Sequence, residues 1–194
     1  MTYDPTSIEG RLGAATECRA AGLLRERGHA VVHVFDAPSA PMVHQLAGDA
    51  VAPDLLCFRA ANALWIEVKG KTAPNWRRCR PGPRWEHGID FAHLREYVAV
   101  REATALPVWV LLYELHSPAA PESKSRLSGP PGWLAIDLVL LERIGQRRLT
   151  WPGGPNEPHR RGKQGLGGWL WARKRMTAWG DLQVRNPEQF GMFK

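Results

Sequence analysis

The sequence predicts a mixed α/β domain, with a central sheet of mixed strand direction flanked by helices. Three observations predict it. Two stretches, residues 9–27 and 90–103, repeat apolar residues at helical spacing. Short apolar runs of strand length lie between and after them. The order along the chain is then helix, three strands, helix, two strands. At 194 residues the chain is long enough for one such core and an appendage. The expected division is a core over 1–145 and a basic, Gly- and Trp-rich extension over 146–194.

Each element has a local reason. Ser7 is suited to cap a first helix over 9–27, which Gly28 would end. Gly13, Glu17, Ala20, Ala21 and Leu24 share one face of it, and the small residues there permit close packing. Residues 30–35 alternate like a strand. A loop rich in Pro and Ala leads to two further apolar runs, 55–58 and 64–68. Residues 70–89 read as a basic loop rich in Pro and Gly, after which Asp90 caps a helix through Ala103 with Phe91, Leu94 and Val98 inward. Pro107 opens a strand over 108–113. The four prolines of 116–131 indicate a mobile insertion. A last strand is expected over 133–141, and beyond Arg143 the chain turns basic.

Composition narrows the partners. Lys and Arg number 26 against 19 Asp and Glu, a formal net charge of +7. Such a field attracts polyanions, nucleic acid first among them. The longest apolar runs are too short to span a membrane, and the opening residues lack the basic and apolar regions of a signal peptide, so a soluble cytoplasmic protein is expected. Cys18, Cys57 and Cys79 fit no zinc spacing and are odd in number, against a disulfide framework; Cys18 and Cys57 sit among apolar residues and read as small buried side chains.

The chemistry concentrates between Ala52 and Lys71, which reads Ala-Pro-Asp-Leu-Leu-Cys-Phe-Arg-Ala-Ala-Asn-Ala-Leu-Trp-Ile-Glu-Val-Lys-Gly-Lys. As an antiparallel hairpin with its tip near residues 60–62, it sets Asp54 opposite Glu67 to Lys69. Alternation along a strand sends Glu67, Lys69 and Lys71 to one face, and Ile66 and Val68 to the other. Two acids in reach of each other repel, and a hard cation such as Mg²⁺ relieves that repulsion. Such a cation lowers the pKa of a bound water, while an adjacent ammonium orients the water or neutralises charge developing on a phosphate. The Val68 carbonyl, between the two functional side chains, is a further candidate ligand. The bland alternative is a surface hairpin whose alternate residues happen to be charged.

This segment resembles the active-site hairpin of the PD-(D/E)xK, or restriction-endonuclease-like, nucleases, a superfamily that includes Holliday-junction resolvases and phage or repair nucleases. The resemblance covers a little over half the chain. It implies an αβββαβ core, Asp54 and Glu67 as metal ligands, Mg²⁺ (with Mn²⁺ as substitute) as cofactor, and Lys69 at the attacking water. Many members carry another acid on the first core helix, and Glu17 fits that place. A carboxylate with nothing to bind would be costly to bury on that stripe; the alternative is a helix-edge glutamate paired with Arg25 or Arg27. The reaction implied is hydrolysis of DNA phosphodiester bonds, with structured or branched DNA as a candidate substrate. A binding module that keeps the nuclease fold without turnover is the alternative.

Basic and aromatic residues surround this hairpin. Lys71, Arg77, Arg78, Arg80 and Arg84 follow it with no acid among them, interleaved with Trp76 and Trp85, a pattern suited to phosphates and unpaired bases. His87, just before the second core helix, reads as structural; Tyr97 faces either the sheet or the site, and neither is expected to be catalytic. In the tail, Arg173, Lys174 and Arg175 fall on an expected helix from Trp169 to Trp179. That helix would clamp DNA, or its tryptophans would pack on the sheet or on a second subunit. A centre of this kind attacks one strand at a time, so cutting two strands calls for a homodimer.

Overall fold

The computed structural model describes residues 8–34, 51–71, 75–77, 84–114, 132–148, 168–172 and 175–178. Helix α1 (Ile8–Glu26) is followed by strands β1 (Ala30–His33), β2 (Leu55–Arg59) and β3 (Asn62–Lys71). Strands β4 (Asn75–Arg77) and β5 (Arg84–Asp90) precede helix α2 (Phe91–Thr104), then β6 (Val108–Glu114) and β7 (Trp133–Asp137). Helix α3 (Leu138–Ile144) and strands β8 (Gln146–Arg148), β9 (Gly168–Ala172) and β10 (Thr177–Ala178) complete the described elements. No helix among the described residues is long and apolar enough to cross a membrane.

The expected mixed sheet is present. Its strand order is β1-β2-β3-β6-β7-β10, six strands among the described residues. The β3–β6 pair is parallel and the other pairs are antiparallel. A parallel pair needs a crossover; here it includes β4, β5 and α2. On one face Ala20, Ala21 and Leu24 of α1 pack against Leu55, Leu64, Ile66, Val68 and Leu111. On the other, Leu94, Tyr97 and Val100 of α2 and Leu138 and Leu141 of α3 cover Trp65, Val108, Val110 and Ile136. The alternation expected for β3 is therefore real: Ile66 and Val68 face α1, whereas Trp65 faces α2.

The first helix ends as its sequence indicates. Gly28 takes φ 82°, its N–H bonds to the Arg25 carbonyl at 2.9 Å, and the His29 N–H reaches back to Leu24 at 3.1 Å. That left-handed residue suits glycine. Ser7, its expected cap, lies outside the described residues, as do the loop 116–131 and Cys79. Cys57 is buried, which pushes its thiol up to about 12, but Cys18, flanked by Glu17 and Arg19, is exposed, against the expectation of a buried side chain.

Four other expectations are corrected. The first strand stops at His33 rather than at residue 35. The basic segment after β3 is not wholly loop, because β4 and β5 pair as a hairpin with Trp76 opposite Trp85. The run 133–141 is not one strand: the Asp137 side chain accepts from the N–H groups of Val139 (2.8 Å) and Leu140 (3.1 Å) and starts α3. Such a cap turns an apolar run from extended to helical. The tail segment that begins at Trp169 is a strand, not a helix. Here β9 pairs with β5 and β8, giving a second sheet ordered β4-β5-β9-β8.

The two described tail tryptophans, Trp169 and Trp171, pack rather than project; Trp179 lies outside the described residues. Trp171 is buried in the α2-side core, and the Trp169 indole donates to the Leu141 carbonyl at 2.9 Å and lies against Phe91. A Cβ on Gly145 would come within 1.8 Å of the Trp169 ring nitrogen. That ring is held by its hydrogen bond, so it cannot swing away cheaply. Gly145→Ala is expected to lower stability by roughly 1–3 kcal/mol in urea denaturation; an unchanged midpoint would contradict this seating of Trp169.

Candidate active site

The hairpin of β2 and β3 turns through Ala60 and Ala61, between the paired residues Arg59 and Asn62. Ala60 has φ 52°, a left-handed conformation that costs a non-glycine residue about 1 kcal/mol. The register runs to Leu55 opposite Ile66. One step further, Asp54 comes level with Glu67, where the pairing of β2 with β3 has ended. Its backbone carbonyl accepts from Val34 at 3.0 Å, which fixes the chain where it enters β2.

Beyond that last pair, the edge of β3 is satisfied by a side chain instead of a strand. The Val68 N–H donates to Asp54 Oδ2 at 2.7 Å. Glu67, only 2% exposed, forms an ion pair through Oε1 with the Lys69 ammonium. The Tyr97 hydroxyl, from α2, also hydrogen-bonds the Glu67 carboxylate. The sequence alone leaves Tyr97 facing either the sheet or the site. The signal was available, because Tyr97 shares a helical stripe with His93, Val100 and Thr104, whereas Val98, expected inward, is only partly buried.

Electrostatics follow from this geometry. Burial pushes the Asp54 carboxyl up to about 8, and the Glu67 charge pushes in the same direction; Lys69 and the Val68 N–H oppose them. Burial alone would lower the affinity of Lys69 for its proton. Glu67, then Asp54, more than offset it and hold the ammonium above its ordinary value. Burial, then the Glu67 charge and hydrogen bond, raise Tyr97 well above the ordinary phenol. Glu17, on α1, is near enough to act on both Asp54 and Lys69, as the smallest named influence on each.

The remaining expected residues are distributed around this centre. Lys71 ends β3 on the same face as Glu67; burial and Lys69 lower its ammonium, and Asp90 opposes them. Trp76 and Arg77 belong to β4 and Arg84 to β5. Arg175 is exposed beside β10. Arg78, Arg80, Arg173 and Lys174 lie outside the described residues. A residue that sequence reasoning left as structural, His87 of β5, is buried, and its Nε2 lies 2.5 Å from Glu114 Oε1 at the end of β6. This contact joins the second sheet to the first beside Lys71, which is opposite Glu114 in the ladder.

The donor set suits a hard cation by chemistry: two carboxylates close enough for one to lift the pKa of the other, with a third acid on α1. Among the described residues, however, no group of three or more His, Cys, Asp or Glu side chains is gathered as a metal site. Lys69 occupies one oxygen of Glu67 in this arrangement.

A carboxyl raised by folding carries a definite pH signature. The native state holds the Asp54 proton from pH near 4 to about 8, where the unfolded chain has released it. Stability therefore falls as pH rises through that window. In EDTA, Asp54→Asn is expected to gain more than about 1 kcal/mol on the wild type between its acid and alkaline ends, measured by urea denaturation. A difference independent of pH would contradict the raised value.

No family model matches the sequence, and no curated protein matches it. Solved structures similar to the chain include a Holliday junction resolvase from the archaeal hyperthermophile Archaeoglobus fulgidus, at 11% identity, over 89% of this chain and 95% of that one, with a TM-score of 0.47. Another is D212, a nuclease from a fusselovirus, at 9% identity, over 100% of both chains, with a TM-score of 0.45.

Proposed function

We propose that the chain is a metal-dependent nuclease that hydrolyses DNA phosphodiester bonds, with branched or structured DNA as its preferred substrate. One observation carries the reading: Asp54 and Glu67 meet at the open end of a hairpin, with Lys69 on the same strand face as Glu67. Burying like charges together costs stability, and a site that gathers them does so for a ligand that repays the cost.

Asp54 and Glu67 would hold Mg²⁺, or Mn²⁺ in its place, with Glu17 and the Val68 carbonyl completing the oxygen set. When bound, the ion supplies an acidified water and positive charge beside the scissile phosphate. The protein's own groups prepare that site. The Val68 N–H fixes one oxygen of Asp54, and the Tyr97 hydroxyl fixes the Glu67 carboxylate. Lys69 turns from Glu67 toward the phosphate and offsets the charge that grows there. Lys71, Arg77 and Arg84 contact flanking phosphates, Arg78, Arg80, Arg173, Lys174 and Arg175 extend that contact, and Trp76 stacks on an unpaired base. Paired chains in a homodimer would cut both strands of a junction or duplex, inside the cell where such DNA lies.

A second reading, a nuclease-fold binding module without turnover, is favoured by the closure of Lys69 directly on Glu67. Incubation of the purified protein with branched, single-stranded and duplex DNA separates the two. Cleavage is expected with Mg²⁺ or Mn²⁺ and none with EDTA. Glu67→Gln and Lys69→Ala should each cost about 10²–10³-fold in rate while retaining DNA binding. Mg²⁺ should also raise the melting temperature of the wild type but not of Glu67→Gln. Full activity in either variant would remove the assignment, and binding without cleavage of any substrate would favour the second reading.

A further inference from the structure

Helix α2 runs against β3 in the opposite direction, as two hydrogen bonds along it and a charge interaction at its N-cap establish. Thr104 Oγ1 accepts from the Trp65 indole at 3.1 Å, Tyr97 bonds Glu67, and Asp90 acts on Lys71. His93 lies on the same helical stripe, between Tyr97 and Asp90, so it falls level with the stretch from Glu67 to Lys71. Its ring stacks on Tyr97, with centroids 6.1 Å apart and planes 15° from parallel. The side chain remains 43% exposed, in contrast to the buried residues further along the stripe.

One ring nitrogen is already committed. His93 Nδ1 lies 3.0 Å from Glu96 Oε2, so Nδ1–H donates to that carboxylate. A carboxylate on one nitrogen selects the tautomer and leaves Nε2 as the nitrogen that can exchange a proton, the arrangement by which a histidine is set to pass one. Three features therefore coincide: an oriented imidazole, a ring stacked on the tyrosine that grips Glu67, and access to solvent.

We propose that His93 is the general acid for the leaving group, an inference that rests on the hydrolytic reading of the site. The attacking water forms a new bond to phosphorus and releases one proton to solvent. The bond from phosphorus to the leaving nucleoside oxygen breaks, and that oxygen takes the proton from Nε2 of the His93 imidazolium. Glu96 balances the imidazolium before transfer. Neutral His93 then recovers a proton from solvent, which closes the account of atoms and charge.

The test compares two DNA substrates in single-turnover cleavage, one natural and one with sulfur in place of the leaving oxygen, at the strand end identified from the wild-type products. A thiolate departs without a proton. His93→Ala is expected to slow the natural substrate by about 10²-fold or more, and the sulfur substrate by only a few-fold relative to wild type. Glu96→Gln should show the same pattern, with a smaller loss. Equal slowing of both substrates in His93→Ala, or wild-type rates on both, would overturn the acid role while leaving hydrolysis intact. Failure of the wild type itself to cleave either substrate would overturn the hydrolytic reading on which the inference stands. Circular dichroism of each variant confirms the fold, which this half-exposed side chain should not perturb.

Discussion

Two carboxylates are brought together where water is scarce, and much of the surrounding structure answers that constraint. Asp54 and Glu67 meet because the β2–β3 register continues one residue past its last paired position. Left alone, such a pair would repel. Here the repulsion is distributed: the Val68 N–H takes one oxygen of Asp54, Lys69 takes one of Glu67, and Tyr97 bonds the same carboxylate from the helix above. Asp54 keeps its proton well into the neutral range.

The second sheet gives the site its surroundings. Its strand β5 runs directly into α2 at Asp90, the helix that supplies Tyr97. The buried pair of His87 and Glu114 ties β5 to the end of β6, next to Lys71. The basic hairpin of β4 and β5 is therefore anchored to the same end of the main sheet as the acidic pair. Its place is set by a polar contact buried from water, and breaking one partner of such a contact is expensive. The tail contributes β9 to this sheet and β10 to the main one, so both sheets depend on a late segment of the chain.

Much of this was legible in the sequence because it rests on local rules. The α1 stripe of small residues, its glycine stop and the alternation of β3 each follow from spacing within a few residues. So does the placing of Asp54 opposite the stretch from Glu67 to Lys69, since a tight turn near residues 60–62 sets a hairpin's register; that Glu67 is the residue level with it comes from the ladder itself. What escaped depended on distant partners or competing signals. Residues 133–141 offer no Gly or Pro to break an apolar run, and the capping power of Asp137 was the only mark of a helix start. The Trp-Leu-Trp run of β9 fits strand or helix, and its pairing with β5 decided the matter. The sequence leaves Tyr97 facing either the sheet or the site, and only the packing of the helix against β3, which brings its hydroxyl to Glu67, decides between them.

The protonation of Asp54 beside Glu67 is open to direct measurement. Selective ¹³C labelling of aspartate, with Asp54→Asn to identify its signal, allows the Asp54 carboxyl to be titrated by NMR in EDTA. A midpoint near 8 is expected, moving downward when Mg²⁺ is added. A midpoint at the ordinary aspartate value near 4, unmoved by Mg²⁺, would show that the two acids are neither desolvated nor coupled and would contradict the account.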